Sequence, residues 1–218
     1  MKILELFAGT RSISKAFEKR GHETYSIEWN KDFEGITLYQ DINKVSTKDI
    51  LKLCGGVPDV IWASPDCTTY SLAGISHHRT KNKETGNLEP KSEYAKFCDK
   101  TNMHMLDLIQ ELKPKYYFIE NPRGGLRNMN FMKGLYRYTV TYCQYGDFRM
   151  KPTDIWTNYP SPSFKEPCKT GDKCHEPAPR GSRTGTQGIK TDKERSRIPE
   201  QLCDYIASIC EKAEGEKK

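Results

Sequence analysis

Cys67 is the residue best placed to do chemistry in this sequence. It follows an apolar run, residues 60–63, which has the length and composition of a buried strand, and Pro65 and Asp66 end that run. A thiol just beyond the carboxyl end of a strand lies where open α/β sheets bind their ligands, so its thiolate is a candidate nucleophile. The alternative is a small buried apolar residue, which a free cysteine often is.

A glycine turn and two acids mark other strand ends. Gly9 lies between a predicted strand and a predicted helix, where backbone N–H groups can approach a ligand closely. Glu28 ends the second strand about twenty residues later, like the acid that binds ribose hydroxyls in nucleotide sites. Asp41 follows the next extended segment. The pattern favours a cofactor site, and ordinary surface acids are the alternative.

Apolar periodicity predicts the elements that position these residues. Helices are expected after residue 12, over 48–53, over 94–112 and around 202–209, and strands are expected over residues 2–7, 23–29, 37–39, 60–63, 116–119, 138–143 and 154–157. Strands that alternate with helices indicate an α/β fold with a doubly wound, mostly parallel sheet. Residues 68–90 are predicted to be a long polar loop, either functional or disordered.

Composition restricts the class of protein. The 218 residues suit one domain with a small appendage, and 35% apolar with 29% charged residues predict a soluble protein. No apolar run approaches the ~18 residues of a membrane span, and the N-terminus is interpreted as a strand, not a signal peptide. Eight cysteines without a regular framework are expected to be reduced thiols in a cytoplasmic protein. The net charge of +6 permits a nucleic-acid partner.

Five short motifs follow one another along the chain. They are Leu6-Phe7-Ala8-Gly9, Ser64-Pro65-Asp66-Cys67-Thr68-Thr69-Tyr70-Ser71, Glu120-Asn121-Pro122, Tyr145-Gly146-Asp147-Phe148-Arg149-Met150-Lys151 and Arg197-Ile198-Pro199-Glu200-Gln201-Leu202. In this order they resemble the motifs of the DNA cytosine-5 methyltransferases, particularly the short orphan enzymes of phages. Three departures stand out: residues 10–12 replace a glycine-rich continuation, Asp66 replaces a proline before the nucleophile, and Pro122 replaces a valine.

The resemblance implies a fold and an organisation. The fold would be the Rossmann-like class I fold of the S-adenosylmethionine-dependent methyltransferases, with a small irregular recognition insert. Residues 1–158 would form the catalytic domain, residues 159–194 a minimal target-recognition segment, and residues 195–218 a C-terminal helix that packs back on the catalytic domain. Five basic residues of or next to the insert are candidates for nucleic-acid contact: Arg180, Arg183, Lys190, Lys193 and Arg195.

The resemblance also implies a cofactor site and a substrate. S-adenosyl-L-methionine would be bound by Phe7, Ala8, Gly9, Thr10, Glu28, Trp29, Asp41, Ile42 and Ser64. Duplex DNA would be bound by a monomer, with the target cytosine flipped out of the helix. Further substrate contacts are expected from Ser71, Asn121, Lys151, His77 and Arg79.

Three side chains receive catalytic roles from the resemblance. Cys67 would add to C6 of cytosine, Glu120 would hold N3 and help protonate the ring, and Arg149 would orient O2. Asp66 is expected to raise the pKa of the neighbouring thiol if its side chain points towards it.

Two alternatives remain at this point. The altered first motif and Asp66 favour a non-catalytic relative that binds DNA or a protein, and the small insert favours the same chemistry on RNA or a nucleotide.

Cys168, Cys174 and His175 offer three zinc ligands, but their spacing contains no CxxC pair and no fourth ligand is evident. Free thiols in a loop, without a metal, are therefore the expectation.

Overall fold

Strands and helices alternate along most of the chain in the computed structural model, which describes residues 1–177, 189 and 191–215. The strands are β1 (Lys2–Leu6), β2 (Glu23–Glu28), β3 (Leu38–Tyr39), β4 (Val60–Ala63), β5 (Arg79–Lys81), β6 (Leu88–Pro90), β7 (Tyr116–Pro122), β8 (Arg137–Thr141) and β9 (Pro152–Thr157). The helices are α1 (Ser12–Glu18), α2 (Thr47–Cys54), α3 (Ile75–His78), α4 (Glu93–Leu112), α5 (Asp192–Ser196) and α6 (Glu200–Gly215).

Seven of these strands form one sheet in the order β3-β2-β1-β4-β7-β9-β8. The first five are parallel, and β9 runs antiparallel to both of its neighbours. The order reverses between β1 and β4, because the chain moves outward from β1 in one direction and then returns to start again at β4. The prediction of a doubly wound, mostly parallel α/β sheet is confirmed, and this reversal is where such sheets bind ligands.

Helices cover both faces of the sheet. On one face, β1, β2 and β4 pack against α2 and α4 through residues such as Ile61 and Ile109. On the other face, the sheet packs against α1 and α6 through residues such as Trp62 and Ile206. Because β4 is buried on both faces, it is apolar throughout, as the sequence pattern indicated. Among the described residues, no helix is long and apolar enough to span a membrane.

The segment predicted to be a long polar loop is folded. Residues 75–90 contain α3 and an antiparallel hairpin of β5 and β6. Arg79 holds the hairpin to the body of the protein, because its buried guanidinium pairs with Asp99 of α4 (2.7 Å) and donates to Thr69 O (2.9 Å). The prediction of an irregular loop over residues 68–90 is therefore wrong for this part of the chain.

Candidate active site

A pocket opens at the carboxyl ends of β1, β2 and β4, where the strand order reverses. It holds about 830 Å³ of space outside atoms, part of it open to solvent. Its walls are Phe7, Ile27, Glu28, Trp29, Gln40, Asp41, Ile42, Pro65, Asp66, Tyr94, Phe97, Cys98, Thr101 and Asn102. Aromatic rings, aliphatic groups and a few carboxylates and amides line one cavity, which is the composition of small-molecule sites.

The β1–α1 turn is held to the pocket by Glu28. One carboxylate oxygen accepts from Gly9 N (3.0 Å), and the other accepts from Trp29 N (2.9 Å). Phe7 and Gly9 both have left-handed backbone, with φ of 55° and 46°. This conformation turns the chain sharply out of β1 and brings the Phe7 ring into the pocket wall, at a cost in strain for Phe7 that is typical of functional turns.

The structure divides the predicted cofactor residues into two groups. Five of them line the pocket: Phe7, Glu28, Trp29, Asp41 and Ile42. Ala8, Gly9, Thr10 and Ser64 do not line it. The Ser64 hydroxyl instead accepts from the Trp62 indole (2.8 Å), and the Thr10 hydroxyl pairs with that of Ser12 (2.8 Å). The cofactor contacts expected from these four residues therefore stay predictions.

Sequence reasoning missed the wall that α4 contributes. Tyr94, Phe97 and Thr101 are spaced three and four residues apart, so they lie on one helical face that borders the pocket. Tyr94 and Phe97 are also partly exposed and stacked on each other (ring centroids 6.3 Å apart). The available signal in the sequence was this pair of aromatic residues, Tyr94 and Phe97, three positions apart on the predicted helix.

Cys67 lies in a turn that neighbouring elements fix on two sides. The Asn121 amide of β7 donates to Pro65 O (2.8 Å), which ties the nucleophile turn to the end of the adjacent strand. Gly125 N donates to Tyr70 O (2.7 Å), and a Cβ at Gly124 would lie only 2.5 Å from the same oxygen. A side chain at residue 124 would therefore push the turn away from β7.

Burial, not Asp66, dominates the ionisation of Cys67. Removal from solvent raises the pKa of this thiol to about 11, the Lys151 ammonium opposes that increase, and Asp66 and Glu120 add to it. The Asp66 carboxylate accepts from Thr68 N (2.6 Å) and from the Tyr94 hydroxyl (2.5 Å). Asp66 acts in the expected direction, but its carboxylate is held by these partners and its effect on the pKa is secondary.

Glu120 and Lys151 lie near Cys67, and Arg149 lies near Lys151, at the end of β7 and before β9. Glu120 is buried and accepts from the Tyr142 hydroxyl (2.9 Å). Burial lowers the pKa of Lys151, whose ammonium lies 4.5 Å from the Tyr142 ring centre and interacts with both Glu120 and Cys67. Lys151 also has an unusual backbone φ of 27°.

Arg149 is fixed by its own loop. Its guanidinium binds both oxygens of Asp147 and lies 3.5 Å from Arg195 O, which also accepts from Lys151 Nζ (3.0 Å). The segment before α6 thus returns to this end of the sheet, and Ile198 N reaches Ser12 Oγ (3.4 Å) in the β1–α1 turn.

The remaining predicted substrate residues differ in how far they are exposed to solvent. Ser71 is half-buried in the nucleophile turn, and His77 is exposed on α3. Arg79 is 3% exposed and lies 4.0 Å from the Tyr70 ring centre, besides its pair with Asp99. The Arg79 guanidinium is thus occupied by partners inside the protein, and its contact with the substrate stays a prediction.

Cys168, Cys174 and His175 of the predicted insert lie close to a fourth residue, Cys143, that the sequence pattern did not indicate. Cys168 is buried, and its sulfur lies 3.0 Å from that of Cys143, which ends the segment predicted as a strand. Cys174 and His175 complete a compact group with these two. Arg180, Arg183 and Lys190 lie outside the described residues, whereas Lys193 and Arg195 lie on α5.

Comparison with known proteins gives one family and several relatives. Residues 1–137 match the family described as C-5 cytosine-specific DNA methylase. A protein of Frog virus 3 (isolate Goorha), named "Probable DNA (cytosine-5)-methyltransferase", is 26% identical over 229 residues, an alignment covering 96% of this chain and 100% of the viral protein.

One solved structure shares the fold of this chain, and a second aligns less closely. A candidate DNA modification methyltransferase encoded within an Escherichia coli prophage aligns with a TM-score of 0.52 and 16% identity, over 72% of this chain and 46% of that one. A DNMT2 mutant from Spodoptera frugiperda aligns with a TM-score of 0.48 and 17% identity, over 77% of this chain and 53% of that one. The chain thus spans about half the length of these structures.

Proposed function

The chain belongs to the C-5 cytosine-specific DNA methylase family, and from this membership we infer that it transfers a methyl group to C5 of cytosine in DNA. The observation that supports this most is the group formed by Cys67, Glu120 and Lys151, in which Lys151 and Glu120 both act on the pKa of the Cys67 thiol. These groups lie beside a pocket whose wall includes Pro65 and Asp66, the two residues before the nucleophile.

The pocket suits S-adenosyl-L-methionine. Trp29, Phe7 and Phe97 offer flat apolar surfaces for a purine, and Glu28 and Asp41 offer carboxylates for hydroxyl or amino groups. Asn102 Oδ1 is buried at this wall without a hydrogen-bond partner among the described residues, so it can accept a hydrogen bond from a ligand. The bound cofactor would supply an electrophilic methyl group.

Cys67 would supply the nucleophile. With a pKa of about 11 the thiol is protonated at neutral pH, so it must lose its proton to water as the base binds. The Lys151 ammonium favours the thiolate by charge. The sulfur then forms a bond to C6 of cytosine, and the C5–C6 π electrons move so that C5 becomes nucleophilic. Once C5 carried the methyl group, water would take the C5 proton, the C5–H electron pair would re-form the C5–C6 double bond, and Cys67 would leave as the thiolate.

Glu120 and Arg149 would hold the base during this addition. Because the Tyr142 hydroxyl fixes one oxygen of Glu120, the carboxyl group keeps one orientation at the end of β7 and can bind N3 of the ring. Asp147 holds the Arg149 guanidinium in the same way, ready for the O2 atom. The β5–β6 hairpin, with Lys81, Lys83 and nearby His77, would contact the phosphates of the flipped strand.

Methyl transfer tests the proposal directly. Labelled methyl from S-adenosyl-L-methionine should appear at C5 of cytosine in mixed-sequence duplex DNA with wild-type protein, and Cys67→Ala should abolish it. Cys54→Ala, a buried cysteine of α2, is the matched control and should retain activity.

Two outcomes would contradict this function. Cofactor binding without any transfer would indicate a binding protein, and label in RNA but not in DNA would indicate a different substrate.

A further inference from the structure

Four potential metal ligands converge after strand β8. They are Cys143, Cys168, Cys174 and His175, and one ligand atom of each lies within 4.8 Å of all the others. Cys143 belongs to the short 3-10 helix Tyr142–Tyr145 that follows β8, and the other three lie after β9. The fourth ligand, absent from the sequence pattern, thus comes from 25 residues earlier in the chain.

The separations match a tetrahedral ion. With Zn–S bonds of about 2.3 Å and Zn–N bonds of about 2.0–2.1 Å, the edges of the tetrahedron are about 3.8 Å between sulfurs and about 3.6 Å between sulfur and nitrogen. Nδ1 of His175 lies 3.6 Å from the sulfurs of both Cys168 and Cys174, and Cys174 Sγ lies 3.6 Å from Cys143 Sγ. The shorter contact, 3.0 Å between Cys143 and Cys168, needs to open by less than 1 Å.

We propose that Cys143, Cys168, Cys174 and His175 bind one structural zinc ion. Three thiolates and an imidazole select zinc over magnesium or calcium, which prefer oxygen ligands. Four protein ligands fill the coordination sphere and leave no position for a substrate, so the ion is structural. On binding, the thiols release their protons to solvent as the metal–sulfur bonds form.

Neighbouring hydrogen bonds hold the ligands in place. Cys168 N donates to Thr141 Oγ1 (3.0 Å), and the Gln144 amide donates to Cys174 Sγ (3.8 Å). Support of this kind around a metal site orients its ligands before the ion binds.

A zinc ion would connect residues 168–176 of the insert to the loop that carries Arg149. Directly after the ligands, Glu176 N donates to Phe148 O (2.9 Å), one residue before Arg149. Cys143 precedes the same loop by a few residues. The ion therefore joins residues 168–176 to residues 143–149 in a part of the chain that has little regular secondary structure.

Metal content tests the site without any activity assay. The full chain, purified without chelator, should contain about one zinc per polypeptide, and replacement by Co²⁺ should give the intense absorption of a tetrahedral cobalt–thiolate centre. Cys174→Ser should lose the metal to a mild chelator, and because Cys174 is exposed this change opens no cavity. His175→Cys should retain it, since a fourth thiolate replaces the imidazole.

Cys54→Ser is the control, since Cys54 is a free cysteine on α2 outside this cluster, and it should keep one zinc. Purified wild-type protein that neither contains zinc nor binds one equivalent of Co²⁺ would overturn the proposal. So would a Cys143–Cys168 disulfide in the freshly purified protein, or undiminished zinc binding by Cys174→Ser.

Discussion

At the scale of single residues, the buried side chains of Lys151 and Cys67 influence each other's pKa. Burial keeps the thiol protonated by raising its pKa to about 11, and the same burial lowers the pKa of Lys151. Each group favours the charged form of the other, so the thiolate and the ammonium stabilise one another. The strained backbone of Lys151 is consistent with a position that is selected for this interaction and not for folding alone.

We predict that Lys151→Met slows alkylation of Cys67 by iodoacetamide at pH 8. Only the thiolate reacts, and loss of the ammonium raises the pKa of the thiol, so a change of one pKa unit lowers the rate roughly tenfold. In the wild type the rate should rise about tenfold per pH unit through the neutral range, because the pKa of about 11 lies far above it.

Mass spectrometry of the Cys67 peptide separates this thiol from the other seven. Lys151→Arg should keep most of the reactivity, and Lys52→Met, on the exposed side of α2, is the control. Equal reactivity in wild type and Lys151→Met would show that the ammonium does not act on Cys67.

Helix α4 carries one residue of a buried ion pair, Asp99, and one of an exposed ion pair, Lys96, so their contributions to stability can be compared. Asp99 binds the fully buried Arg79 guanidinium and accepts from the Tyr70 hydroxyl (2.7 Å), whereas Lys96 pairs with Glu93 in solvent. Asp99→Ala leaves a buried charge without its partner, so we expect a loss of about 3–5 kcal/mol in the free energy of unfolding. Lys96→Ala should cost less than about 1 kcal/mol. Urea unfolding measures both, and similar losses would contradict a structural role for the Arg79 pair.

At the scale of elements, the side chain of Glu5 in β1 caps the N-terminus of helix α1. Its carboxyl group accepts from the backbone N–H groups of Ile13 (3.3 Å) and Ser14 (2.8 Å), near the helix N-terminus. Arg11, at the N-cap position, makes no capping bond with its side chain. Glu5 thus does the work of a cap from a neighbouring strand, and it does so while fully buried.

The pH dependence of stability should reveal Glu5. Burial raises its pKa to about 7 from 4.5, so between these values the folded state holds a proton that the unfolded state releases. The free energy of unfolding therefore falls as pH rises from 4.5 to 7, by roughly 3 kcal/mol in total. This fall should disappear in Glu5→Gln and persist in Glu84→Gln, on the exposed hairpin turn. Parallel curves for wild type and Glu5→Gln from urea unfolding would refute the assignment.

Local patterns predicted the elements well and their long-range partners poorly. Strand β4 and the acid Glu28 follow from short apolar runs and the residues that end them. The β5–β6 hairpin does not, because Arg79 finds its partner Asp99 twenty residues away, on a helix. Cys143 was missed as a ligand for the same reason: its group forms only when the sheet brings residue 143 beside residue 168.

At the scale of the whole molecule, the pocket lined by Phe7 and Trp29 joins segments that are distant in sequence. Phe7 follows β1, Trp29 follows β2, Pro65 follows β4, and Phe97 belongs to α4. Any ligand that fills the pocket contacts all of these segments at once, so it is bound by the folded protein and not by any one part of it. Binding must then stabilise the folded state as a unit.

We predict that S-adenosyl-L-homocysteine, the demethylated product, raises the melting temperature of the protein. At a concentration 100 times its dissociation constant it adds about 2.7 kcal/mol, which corresponds to roughly 5–10 °C for a chain of this size. Homocysteine alone should have no effect, because it lacks the adenosine that we propose binds to the aromatic wall of the pocket. Trp29→Ala should reduce the shift, whereas Tyr136→Ala, an equally exposed ring that does not line the pocket, should leave it unchanged. An equal shift with homocysteine would place the ligand elsewhere on the protein.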